Sequence, residues 1–259
     1  MRTVLATRYV TPLREGGSLP AIVEADDAGL YVLKFSAAGQ GPKALVAELV
    51  AGELGRAAGL RVPEIVRVEL GPALGRNEPD PEIRELLCGS VGLNLGLDYL
   101  PGSVTFDPAV GPPPAADEAS DVVWFDAFVS NVDRTPRNVN LLTWHRRLWL
   151  IDHGAALYFH HAWERAQAAA LSPFPAVKDH VLLPWATDLA GAGRRLAARL
   201  GPEVLAAVLA EVPDAWLAGE PGFASPAALR AAYQRHLTAR LAGAVRFEEE
   251  ALRARDRLV

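Results

Sequence analysis

Two aspartates in this sequence sit hard against apolar chain: Asp152, at the end of LWLID (148–152), and Asp133, which opens DRTPRN (133–138). A carboxylate in such a setting is costly unless a partner holds it. LLTW (141–144) and LWLI (148–151) read as a hairpin turning on His145-Arg146-Arg147. If the turn is centred on Arg146, antiparallel partners have numbers summing to about 292. Asn140 then faces Asp152, Asn138 faces residue 154, and Asp133 stands in the turn just before the first strand. Two carboxylates and a carboxamide thus converge on one point. Oxygen ligands without cysteine or paired histidine suit a hard cation, Mg2+ or Mn2+.

Of the 26 basic side chains only Lys34, Lys43 and Lys178 are lysines, so lysine is kept where a compact ammonium matters. Lys34 lies in LYVLKF, where Tyr31, Leu33 and Phe35 share one strand face and Leu30, Val32 and Lys34 the other.

The surrounding elements can be read from pattern. Strands at about 19–25 and 30–36 flank the turn Asp26-Asp27-Ala28-Gly29. KALVAELVAGELGRAAGL reads as a helix ending near Gly59, RVPEIVRVEL as a strand, and the charged, Pro-containing stretch after it as a loop. VGLNLGLDYLPG reads as a strand with a tight connector, and DPAVGPPPAA (107–116) as a Pro-rich linker. DEASDVVWFDAFVSN reads as a helix capped by Asp117 or Ser120. Beyond 186 the pattern is helical, with breaks near Gly201-Pro202, Pro213 and GEPGFASP, and 226–258 reads as one long amphipathic helix.

Composition narrows the classes. At 259 residues, half of them hydrophobic, the chain can form one large domain or two small lobes. A net charge of −5 argues against a general nucleic-acid binder. Cys88 is the one cysteine, so no internal disulfide can form, and it reads as a buried small hydrophobe. MRTVLATRYVTPL lacks the apolar run of a signal peptide, and no run of 18 apolar residues exists. The expectation is a cytoplasmic protein without a membrane partner.

YVLK, the Glu48 helix running into AAGLRVPE, NVDRTPRN and LIDHG together resemble the HipA-like atypical kinases, over roughly residues 8–165. More distantly they resemble the phosphatidylinositol kinases, which share the Asp-Arg that opens the catalytic loop. The resemblance implies an α+β, two-lobed protein-kinase-like fold. Its β-rich N-lobe is 1–106 and its mainly helical C-lobe 107–259, with a hinge near 98–102. It implies ATP-dependent transfer of the γ-phosphoryl group to a hydroxyl, with protein Ser/Thr the family's acceptor and a small-molecule hydroxyl left open, and ATP with Mg2+ or Mn2+ as cofactors. Asp133 becomes the catalytic base, Lys34 the phosphate ligand, and Asn138 and Asp152 the metal ligands. Gly16, Gly17 and Ser18 cover the phosphates, and Asp98, Tyr99 and Leu100 meet the adenine. Glu48 is the family's choice as partner of Lys34, although the helical wheel centres its apolar face on Glu53. His153 stands where protein kinases have Phe, and Asn131 where they have the His of the HRD triplet. Other roles stay open. Arg134 meets phosphate or a carboxylate, Ser18 is a turn serine or an autophosphorylation site, and the adjacent His160 and His161 point different ways, lining or structural rather than metal-binding. A nucleotide-binding pseudokinase and an AMP-transferring enzyme on the same fold remain alternatives.

Overall fold

The structure, a computed structural model, describes residues 1–13, 19–39, 41–76, 78–110 and 112–258. Five strands close a small barrel: β1 (Thr3–Pro12), β2 (Ala21–Ala25), β3 (Leu30–Lys34), β4 (Ile65–Leu70) and β5 (Gly92–Asp98). Their order is β1-β2-β3-β5-β4, and β4 returns parallel to β1, so no edge is left open. Alternation directs Tyr31, Leu33, Val66 and Val68 inward and leaves Lys34 on the outer face of β3. Gly96 permits this closure, because a Cβ there would stand 2.6 Å from Val68 Cγ2. The first strand, TVLATRYVTP, had drawn no expectation beyond the absence of a signal peptide.

Helix α1 (Pro42–Ala58) starts on a proline, which loses no bond in a first turn, and stops at Gly59 in the left-handed region (φ 89°). Leu45, Leu49, Val50 and Leu54 are buried, but not in the barrel's core. They join the larger cluster built by the helices that follow, and α1 packs on α6 (Pro202–Ala210) and α7 (Asp214–Leu217).

The stretch expected to be a loop after β4 contains α2 (Pro81–Gly89). The Asp80 carboxylate caps it by accepting the Glu82 N–H at 3.0 Å, with Pro81 at the first position. Ile83 and Leu87 are its inward face, and Cys88 points the other way and is exposed rather than buried.

A second sheet joins β6 (Val104–Thr105), β7 (Leu141–Trp144) and β8 (Arg147–Leu150) in that order. The β7–β8 register differs by one from the expected pairing, since Leu141 faces Leu150 and Trp144 faces Arg147. His145 and Arg146, at φ 47° and 62°, form a two-residue turn whose twist matches the strands. A turn centred on Arg146 would need a third residue. Asn140 therefore faces Ile151, whose N–H it accepts at 3.1 Å, and not Asp152.

Helix α3 (Ala116–Val129) runs through the large core. Neither proposed cap residue caps it. The N-cap is Ala115, and Ser120, one turn in, donates to Ala116 O and accepts from Asp188 N. Short turns and α4 (Ala166–Ala170) lead to α5 (Leu189–Ala197), α6 and α7. The final helix is two, α8 (Pro226–Ala242) and α9 (Val245–Asp256), broken at Gly243-Ala244. The break turns Phe247 back onto the Trp124 ring, 5.3 Å away edge to face. Among the described residues no helix is long and apolar enough to cross a membrane.

Candidate active site

The loop that follows α3 is shaped by its own sequence. Ser130 leaves the helix in the left-handed region. Thr135-Pro136-Arg137-Asn138 is a β-turn with Pro at its second position, closed by the Asn138 N–H on Thr135 O at 3.1 Å. The turn folds Asn138 back so that its Nδ2 donates to Asp133 Oδ2 at 2.6 Å. Burial holds the Asp133 carboxyl above its ordinary pKa, the Asn138 bond works against this, and the charge of Asp152 adds to it.

Below the loop lies a buried ion pair. Arg134 Nε donates to Asp126 Oδ2 at 2.5 Å, with both side chains fully enclosed. The guanidinium also donates to Asn140 O and, at 3.3 Å, to Ile151 O, which ties the loop to the ends of β7 and β8. Of the two roles left open for Arg134, the carboxylate partner is the one present. Asp126 further accepts from Asn131 Nδ2 (3.1 Å) and pairs with His180 Nε2 (2.9 Å). Leu182 N–H donates to His180 Nδ1, so the His180 proton sits on Nε2 and points at Asp126. Burial alone would raise the Asp126 pKa, yet Arg134 and His180 hold it well below the usual carboxylate range. Asp126 and His180 were missed from sequence. The one signal was an aspartate inside WFDAF.

Across from the loop, Lys34 Nζ donates to Asp152 Oδ1 at 2.6 Å and stands 3.5 Å from Glu48 Oε2. Glu48, 1% exposed, also accepts the His153 N–H at 3.0 Å. Glu53 pairs with Arg56 at 3.7 Å and does not approach Lys34. Burial would lower the Lys34 pKa, but Glu48 and then Asp152 outweigh it and the net direction is up. Burial would raise the Glu48 pKa, and Lys34 and His153 pull it down instead. Asp152 occupies the left-handed region at φ 54°, which a short polar side chain tolerates.

A protein kinase keeps this set together: a strand lysine paired with a helix glutamate, an Asp-x4-Asn loop, and an Asp-x-Gly after a hairpin. The sequence profile of the HipA-like kinases matches residues 7–242. The chain belongs to the HipA-like kinases. It is therefore a kinase-type phosphotransferase. No curated protein matches it. Among solved structures it is similar to the proinflammatory kinase CtkA of Helicobacter pylori, at 12% identity and TM-score 0.61, covering 95% of this chain and 97% of that one. It is also similar to the Golgi casein kinase with Mn/ADP bound, at 11% identity and TM-score 0.53, covering 98% of this chain and 74% of that one. These likenesses show the fold, α+β and two-lobed as in protein kinases.

The remaining site residues of this HipA-like kinase fall at the junction of barrel and helices or outside view. Asp98 and Tyr99 donate their backbone N–H groups to Glu64 O (2.8 Å) and Leu30 O (2.9 Å), and Leu100 is buried, as the chain passes from β5 to β6. Gly16, Gly17 and Ser18 lie outside the described residues. His160 and His161 do not diverge as expected. In an irregular single turn their Nε2 atoms meet at 3.2 Å, while His160 Nδ1 contacts the Tyr233 hydroxyl at 2.9 Å.

The donors fit a hard divalent cation that arrives with phosphate. Asn138 Nδ2 is spent on Asp133, which leaves its carbonyl oxygen free, and Asp152 has a second oxygen beyond the one on Lys34. Among the described residues no three of His, Cys, Asp and Glu gather into a cage of their own. Mg2+ is commonly held in this way, by one or two protein oxygens plus substrate phosphates.

Proposed function

We propose that this HipA-like kinase transfers the γ-phosphoryl group of ATP to a hydroxyl, with a protein serine or threonine as acceptor. The observation that carries the reading is the meeting of Lys34 with both Glu48 and Asp152, close enough to the Asp133–Asn138 pair for the Asp152 charge to act on Asp133. The lobes divide at about residues 106 and 107, and 98–100 with Gly16, Gly17 and Ser18 would hold the nucleotide between them. The Mn/ADP found in the Golgi casein kinase structure supports nucleotide and divalent-metal use on this fold.

Each residue has a part. Lys34 binds phosphate oxygens, and Glu48 fixes its direction from a buried position. A phosphate that takes over Lys34 releases Asp152, which with Asn138 would hold Mg2+ or Mn2+. The cation would neutralise charge on the phosphates. Asp133 accepts the proton of the acceptor hydroxyl as its oxygen bonds to phosphorus and the bond to ADP breaks. Asn138 keeps the Asp133 carboxylate turned toward the site.

ATP labelled at the α or the γ position tests the reading. Transfer of label from γ alone supports it. Label from α indicates AMP transfer, and tight binding with no transfer indicates a pseudokinase. Either of these outcomes overturns it.

A further inference from the structure

Lys43, the second of the three lysines, takes no part in the site above, yet it too is held by two partners. Its Nζ donates to His160 O and to Glu220 Oε1, both at 2.8 Å. It stands on the second residue of α1, where a cation opposes the helix dipole. The helix has no side-chain cap at Gly41 and no acid in its first turn. Glu220, from the connector between α7 and α8, supplies the negative charge that this end lacks. The other anchor is equally fixed, because His160 is enclosed and its ring is held by Tyr233 of α8. His160 lies in the segment after Asp152-His153-Gly154. Lys43 thus joins three pieces of chain: the start of α1, the segment beyond the metal-ligand aspartate, and the connector. His161 faces the same cluster from that segment, and the Lys43 and Glu220 charges act on it in opposite senses.

Five residues further along the same helix is Glu48. Apolar packing on α6 and α7 buries α1 and, being close, limits sliding and rotation about its axis, although the attraction behind it is non-directional. Two directional bonds at the first turn resist both. We propose that Lys43 is a positioning residue. Through Glu220 and the His160 carbonyl it fixes the rotation of α1 and so sets Glu48 against Lys34. This rests on the kinase reading for its catalytic consequence only.

The test uses the full chain with Lys43→Met, Glu220→Gln, the double variant and Lys43→Arg, each checked for an unchanged melting profile. Glu220→Gln keeps shape and guards against a Lys43→Met that folds poorly. Two readouts are taken: kcat and KM for ATP, and hydrogen–deuterium exchange of the amides at 45–49. Each single variant should lower kcat/KM for ATP by about tenfold, and the double variant by no more than the worse single, because the two side chains act through one contact. Lys43→Arg should recover most of the loss. Exchange at 45–49 should rise about tenfold in both single variants and stay unchanged in α3, in line with a local opening. Multiplying losses in the double variant, or wild-type exchange in both singles, would overturn the proposal. If the wild type transfers no phosphate to any acceptor, the kinase reading fails, and the exchange measurement still decides the role of Lys43.

Discussion

Glu48→Gln removes one charge and almost no volume, which isolates the ion pair from packing. The introduced carboxamide keeps an oxygen for the His153 N–H, so that bond at 3.0 Å survives. What is lost is attraction to Lys34 Nζ at 3.5 Å. At an effective dielectric of about 20 this is worth about 5 kcal/mol gross. Relief of the buried carboxylate's desolvation returns part of it, and Lys34 keeps Asp152 as a partner. A net of about 2 kcal/mol remains, close to 30-fold in kcat/KM for ATP if the pair serves phosphate binding through the transition state. Free of Glu48, Lys34 should settle on Asp152 and compete with the metal. An ADP-release assay over a range of ATP concentrations measures the effect, with Glu53→Gln as control because Glu53 pairs with Arg56. Wild-type kcat/KM in Glu48→Gln, or equal damage from Glu53→Gln, would refute the reasoning.

Arg240 has no carboxylate partner among the described residues. It is buried, its pKa pushed down to about 10 by burial, and it donates to the carbonyls of Ala127, Phe128, Ala169 and Ser172 where α3 and α4 end. Arg240→Met should cost about 3–5 kcal/mol in urea unfolding by stranding those carbonyls, and a loss under 1 kcal/mol would contradict this. His236 donates from Nδ1 to Ala166 O, its buried Nε2 has no hydrogen-bond partner among the described residues, and burial lowers its pKa to about 4. Its neutral form is the native one, so its contribution is complete above pH 6.5 and fades as pH falls toward 4, by about 3 kcal/mol. His236→Gln should unfold at nearly the same urea concentration at pH 7 and 4.5 relative to that drift, whereas an unchanged pH dependence would count against it. Calorimetry should show Mg2+ strengthening ATP binding in the wild type and doing so far less in Asp152→Ala. Equal affinities in all four conditions would remove the metal assignment.

The sequence showed some features because their cause is local. Lys34 stood out as a charge within an apolar strand, and the Asp133–Asn138 loop carries Pro136 at the second position of the turn that its own Asn138 N–H closes. The hairpin was visible, but its register slipped by one because turn length, not strand pattern, sets it. The choice between Glu48 and Glu53 could not come from a helical wheel, since α1 is buried on nearly all sides and its apolar face has no single centre. Helix α2 hid behind prolines and charges that serve as its cap. The Asp126–Arg134–His180 anchor and the Lys43–Glu220 bond join residues 54 and 177 positions apart. No pattern in a single sequence reports such contacts.

Asp133→Asn tests whether Asp133 is the base of a phosphoryl transfer. It keeps the shape of a side chain that bonds Asn138 and removes the charge that accepts the hydroxyl proton. With an acceptor or an autophosphorylation signal in hand, Mg-ATP affinity and single-turnover transfer are measured on the same two samples. Affinity should stay within about twofold of wild type and transfer should slow by about 100-fold or more, the usual share of general acid–base catalysis. Wild-type transfer in Asp133→Asn would contradict this and reduce this aspartate to a residue of the turn.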